Sequence, residues 1–156
     1  MRELILFRHA KSDWSTGLVD HERPLNARGE RDAPAAGEWL KQHTQPVELV
    51  IVSSAVRTHQ TLELALKRWD IAPEIRTEPA IYEAPARRIL DVIATLDDSC
   101  ERAMIVGHNP GMSDTLALLT GSHEHEFKTS SIAVLTMSGS WTSLTGEVSA
   151  FVTPRG

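Results

Sequence analysis

After a short polar start the chain places four apolar residues in a row, Leu4-Ile5-Leu6-Phe7, and then stops abruptly at Arg8-His9. An unbroken apolar run of this length, with no helical spacing, predicts a strand covered on both faces, as in parallel sheets. The pattern returns near residues 48–53 (within VELVIVSS) and at 103–107 (AMIVG). Helical spacing fills the intervals. Asn26 caps a helix predicted over roughly 27–43, whose early turns Pro34 disturbs; Ser54 caps a second over 55–69. Over YEAPARRILDVIATL, Ile89, Leu90, Ile93 and Leu96 share one face, and Gly121 stops a helix over MSDTLALLTG. A short strand is expected at 74–77 (EIRT), and two more near 131–137 and 147–152, adjacent at one side of the sheet.

Strands alternating with helices predict an α/β fold in three layers, a mainly parallel central sheet flanked by helices. No linker, repeat or low-complexity tract interrupts residues 1–156, so a single domain is expected. In such folds ligands bind beyond the carboxyl ends of the strands. The first apolar run ends in Arg8-His9, the second leads to Arg57 and the third ends in His108, so all of them should emerge at one edge.

Composition narrows the partners. A length of 156 residues with 41% hydrophobic and 24% charged content supports a core without disulfides or metals. No apolar stretch approaches the ~20 residues of a spanning helix, and the N-terminus lacks a signal-peptide pattern, making the cytoplasm the expected compartment. The single cysteine, Cys100, agrees with a reducing environment. A net charge of −5 argues against nucleic acid and anionic membranes as partners, so any anion must be caught locally.

Arg57 points to such an anion. In the first turn of a helix a cation is disfavoured by roughly 0.3–1 kcal/mol, a penalty that a nearby anion removes. With Arg8 it offers two guanidinium forks for the oxygens of a phosphoryl group, and His9 and His108 complete a cationic pocket. Taken singly, each arginine reads as a surface or ion-paired residue and each histidine as a structural hydrogen bonder; their joint placement reverses that order. The loop over residues 10–26 borders this edge and adds Lys11, Ser12, His21 and Arg23 as candidate substrate contacts. His43 and His59 fall on helices. His123-Glu124-His125-Glu126 reads as a solvated loop, because successive residues rarely converge on one metal ion. The turn Gly107-His108-Asn109-Pro110-Gly111 matches neither GxGxxG nor a P-loop.

Phe7-Arg8-His9, Arg23-Pro24-Leu25-Asn26 with Gly29, Ser53-Ser54 with Arg57 and Gln60-Thr61, Tyr82-Glu83, and Gly107-His108-Asn109-Pro110 occur in this order along nearly the whole chain. The set resembles the histidine phosphatase superfamily, which includes the cofactor-dependent phosphoglycerate mutases, and within it the short SixA-type phosphohistidine phosphatases. The resemblance implies a phosphoglycerate-mutase-like fold with His9 as nucleophile and Arg8, Arg57 and His108 around the transferred phosphate. Glu83 would be the general acid; on its own, a Glu before a Pro-containing helix start reads as a charge stabilising that helix. Ala10 departs from the family's usual Arg-His-Gly. Neither cofactor nor metal is expected. The implied substrate is a phosphorylated protein carrying phosphohistidine, with inorganic phosphate as product. The alternatives are a phosphatase of small phosphomonoesters, less readily a mutase, and a non-catalytic phosphate or phosphohistidine-binding module. The presence of both histidines, both arginines and Glu83 speaks against the last.

Overall fold

The computed structural model describes residues 1–156. In chain order its main elements are β1 (Arg2–Arg8), α1 (Ala27–His43), β2 (Leu49–Val52), α2 (Val56–Leu66), β3 (Glu74–Thr77), α3 (Ala86–Ala94), β4 (Arg102–Gly107), α4 (Gly111–Thr120), β5 (Ile132–Met137) and β6 (Gly146–Val152). They form one six-stranded sheet in the order β3-β2-β4-β1-β5-β6. The first four neighbours run parallel, and β5 and β6 close one side antiparallel.

The apolar runs are buried on both faces, as their lack of alternation implies. Leu4, Leu6, Ile51 and Ile105 face one core, filled by Ile89 and Ile93 of α3 and Met112 and Leu116 of α4. Ile5, Phe7, Val50 and Val106 point the other way, onto Ala36 and Leu40 of α1 and Leu62 and Ala65 of α2. The period-2 geometry of a strand thus divides each run between two helical layers. No helix is long and apolar enough to cross a membrane.

Several boundaries differ from the sequence expectation. α1 runs continuously through Pro34, with the Asn26 side chain accepting from the Gly29 amide at 2.9 Å. α2 ends at Leu66 because the Arg68 and Trp69 amides turn back to carbonyls three residues earlier. Its flanking residue is Ala55, with no side-chain cap; Ser54, the expected cap, has its hydroxyl 2.9 Å from His21 Nε2 instead. Residues 82–85 are outside α3, which begins only after Pro85.

Two glycines let loops approach the sheet edge. A Cβ on Gly29 would lie 2.1 Å from the Lys11 carbonyl oxygen, and one on Gly111 would lie 2.3 Å from that of Ala84. The first contact seats the β1–α1 loop on α1. The second seats the segment carrying Glu83 on α4.

Candidate active site

Parallel pairing of β1 with β4 puts Arg8 opposite Gly107, so the next residues, His9 and His108, leave adjacent strands side by side. The His9 amide donates to the Gly107 carbonyl at 3.1 Å, and the two imidazole centroids are 5.3 Å apart. Ser53, just past β2, places its hydroxyl 2.7 Å from His108 Nε2. Parallel strands ending at one level thereby assemble the edge anticipated from three apolar runs.

The hydrogen bonding of His9 defines its tautomer. Its Nδ1 lies 2.7 Å from the Ala10 carbonyl, which can only accept, so Nδ1 carries the proton and Nε2 keeps a free lone pair. Burial pushes the His9 pKa down to about 3; the bond to Ala10 opposes this, while His108, Arg57 and Arg8 add to it. Burial likewise lowers His108 to about 3, with Arg57 and Arg8 adding and Asp20 opposing. Both rings are neutral at neutral pH, and His108 Nδ1 is buried with no partner.

Arg8 donates from Nη1 to the Phe127 carbonyl at 2.9 Å, a carbonyl it shares with the Asn109 side chain at 2.7 Å. Arg57 is almost wholly buried at the start of α2. Its Nη1 donates to the Asp20 carbonyl at 2.8 Å, and its Nη2 reaches Asp20 Oδ2 at 3.1 Å and Glu83 Oε1 at 2.6 Å. The Nε atoms of both arginines are buried without partners. The anion expected beside Arg57 is therefore supplied within the chain by two carboxylates. Glu83 Oε1 is also 3.9 Å from His108 Nδ1. Glu83 has a left-handed φ of 49°, and buried Ser130, whose amide donates to the His9 carbonyl at 3.0 Å, has φ of 65°. Two of the three non-glycine residues with positive φ thus flank the histidines, consistent with strain gathering at functional sites.

Asp20, which the sequence did not single out, ties these parts together. Its carboxylate accepts from Arg57, from the Tyr82 hydroxyl in a short hydrogen bond, and from Arg23 Nε at 3.2 Å. Burial raises its pKa, but the Tyr82 hydrogen bond and the Arg57 charge outweigh that and lower it to about 2. Its principal partners are 37 and 62 residues away, so no local pattern marks it. Thr61, part of the Gln60-Thr61 motif, has its hydroxyl accept from the Ala10 amide at 3.0 Å and donate to the Arg57 carbonyl at 2.7 Å, linking nucleophile loop to helix.

The remaining loop candidates are held differently. Ser12 and Arg23 bind each other, with Nη1 2.9 Å from the hydroxyl, and Arg23 also donates to the Asp13 carbonyl. His21 contacts Ser54 and meets the Tyr82 ring edge-on at 4.8 Å. The Lys11 ammonium forms no hydrogen bond or ion pair; its carbonyl accepts from the Asn26 amide at 3.0 Å. No group of three or more His, Cys, Asp or Glu side chains is arranged to hold a metal ion, and the His123–Glu126 run is no exception.

Comparison with known proteins bears on the family and the fold. A family model described as histidine phosphatase superfamily (branch 1) matches residues 4–85. An uncharacterized protein of Mycobacterium leprae is 34% identical over 95% of this chain and 99% of its own length. A structure from Agrobacterium tumefaciens, assigned as phosphohistidine phosphatase SixA, superposes with a TM-score of 0.87 at 27% identity over 98% of each chain. The protein histidine phosphatase SixA complexed with tungstate has the same fold, with a TM-score of 0.86 at 22% identity over 97% of each chain. The chain belongs to the histidine phosphatase superfamily.

Proposed function

We propose that this histidine phosphatase superfamily member hydrolyses protein phosphohistidine through a phosphorylated His9. The observation that carries the reading is the His9 ring itself: Nδ1 is committed to the Ala10 carbonyl, leaving Nε2 as a neutral nucleophile beside His108. Burial that disfavours imidazolium keeps the lone pair available at neutral pH. The unpartnered Nε atoms of Arg8 and Arg57 and Nδ1 of His108 are donors suited to phosphoryl oxygens.

In the first step His9 Nε2 attacks phosphorus in line; the N–P bond forms as the bond to the leaving group breaks, and Glu83 gives that group a proton. In the second, water attacks phosphorus, the N–P bond breaks, and Glu83 takes the water's proton. Arg8, Arg57 and His108 stay on the equatorial oxygens, where electrostatic stabilisation supplies most of the acceleration. To bind, the phosphoryl group takes over the Nη2 of Arg57 from Glu83, and the freed carboxylate takes up a proton from the substrate monoanion or solvent, so that it enters the first step as the acid and regains that proton from water in the second. Asp20 and Tyr82 hold Arg57 in place during the exchange, while Ser12 and Arg23 shape the loop and Lys11 adds charge at its base. The arginines provide the cationic charge, so no metal takes part.

A protein substrate is favoured because the mouth is open. Asp20, Glu83 and His21 all remain partly exposed, and the loops around them carry no large insertion that would enclose a small metabolite. The test is a panel of phosphohistidine proteins and small phosphomonoesters assayed with wild type and His9→Ala. Turnover of phosphohistidine proteins that His9→Ala abolishes supports the reading; much faster turnover of small esters assigns the protein to them, and binding without turnover assigns it as a binding module.

A further inference from the structure

The loop from Ser12 to Asp20 carries apolar side chains that the chemistry leaves unused. Three of the chain's seven large exposed hydrophobic residues fall within it: Trp14 (74% exposed), Leu18 (52%) and Val19 (71%). Exposed apolar residues scattered singly need no explanation, but a group of them beside a pocket marks an interaction surface.

This loop is braced. Ser12 bridges to Leu25, the Asp13 amide donates to the Pro24 carbonyl at 2.8 Å, and the Ser15 hydroxyl and amide both bind Asp13 Oδ1. The buried Arg23 guanidinium lies 3.4 Å from the Trp14 ring centroid, supporting one face of the indole while most of the residue stays open to water. A rigid aromatic supported by a buried cation loses little entropy on binding, the property that makes Trp an energetic anchor at interfaces. The far end of the loop is Asp20, which holds Arg57, followed by His21 against Tyr82. Leu18 and Val19 thus lead directly along the chain into the residues that hold the phosphate-binding arginine.

We propose that Trp14, Leu18 and Val19 form the docking surface for the protein that carries the phosphohistidine, receiving apolar side chains around the modified residue while its phosphoryl group enters between Arg8 and Arg57. The proposal rests on the phosphohistidine reading of the site. The occupant follows from extent: a fully presented Trp alone offers about 150–250 Å². A phosphoryl group on a small alcohol has no apolar surface to place against these side chains, whereas a protein presenting its phosphohistidine to the same arginines does. The net charge of −5 opposes an anionic bilayer as the occupant.

The experiment compares wild type with Trp14→Ala and with the double variant Leu18→Ser/Val19→Ser, which leaves the Arg23 stack intact. Three substrates are used: a protein phosphorylated on a surface histidine, free phosphohistidine, and p-nitrophenyl phosphate. For the phosphoprotein, kcat/KM is expected to fall about tenfold or more in each variant, mainly through KM, as for loss of an interface anchor. The two small substrates should change less than about twofold. An equal fall on all three would make the loop a support for the pocket and overturn the docking surface; so would unchanged phosphoprotein turnover. Wild type that turns over small esters but not the phosphoprotein would overturn the functional reading itself. Sedimentation with phosphatidylglycerol vesicles that depends on Trp14 would replace the protein with a membrane.

Discussion

Holding two imidazoles neutral inside the protein carries a stability cost that appears as the pH falls. His9 and His108 are both buried and lowered to about 3, whereas an unfolded histidine titrates near 6.5. Between those values the unfolded chain binds protons that the native state refuses, so stability is complete above about pH 7 and declines as pH drops through 6.5. At pH 5 each histidine contributes a loss of about 2 kcal/mol, a value set by the unfolded pKa once the folded one lies well below 5. Together they remove about 4 kcal/mol, a large part of the 5–15 kcal/mol typical of a domain. Asp20 does not intrude, because a carboxylate lowered to about 2 keeps its stabilising effect until the pH falls below about 4. Urea unfolding between pH 7.5 and 5, followed by intrinsic tryptophan fluorescence, to which buried Trp141 contributes, measures the effect. Near pH 5 the slope should approach about 2.7 kcal/mol per pH unit, the value for two protons, and His9→Asn should roughly halve it. Stability flat from pH 7.5 to 5, or a slope that His9→Asn leaves unchanged, would refute the neutral-imidazole argument.

The other expectations follow from individual contacts. Arg57→Ala leaves Asp20 and Glu83 facing each other without their cation; these carboxylates are nearly half exposed, which reduces the usual cost of breaking a buried pair to about 1–2 kcal/mol. Titration with phosphate or vanadate should show weaker binding than by wild type, and a variant as stable as wild type would show that these ion pairs contribute nothing. Glu83→Gln should slow an alkyl phosphate by about 10²–10⁴-fold and an aryl phosphate with an acidic phenol far less; equal slowing where chemistry limits the rate would remove Glu83 as the acid. Activity should survive exhaustive dialysis against EDTA, and loss restored only by a divalent ion would contradict arginine-based charge stabilisation.

Much of the scaffold can be read in the sequence because it is local. The runs at Leu4–Phe7, Leu49–Val52 and Ala103–Gly107 are long enough to specify strands buried on both faces, and parallel strands deliver Arg8, His9 and His108 to one edge. Asn26 caps α1 as its position implies. What escapes a sequence reading depends on distant partners. Ser54 has the right chemistry and position for a helix cap, but His21, 33 residues away, holds its hydroxyl. Glu83 reads on its own as a charge at the start of the helix that follows Pro85, and the left-handed φ that turns it toward Arg57 leaves no mark in the local sequence. Arg57 reads as a strained cation awaiting a ligand, because Asp20 and Glu83 are remote in the chain; with both in place, its removal is expected to destabilise the protein rather than leave it unaffected.

The central claim is that His9 Nε2 accepts the phosphoryl group. Rapid acid-free quenching during turnover of a radiolabelled substrate, followed by alkaline proteolysis and peptide mapping, tests it directly, since phosphohistidine survives base and is lost in acid. The expected result is a burst of no more than one phosphate per protein, located on Nε2 of His9 and absent from His9→Ala. Phosphate on Nδ1, on His108 or on no residue while turnover proceeds would contradict the account.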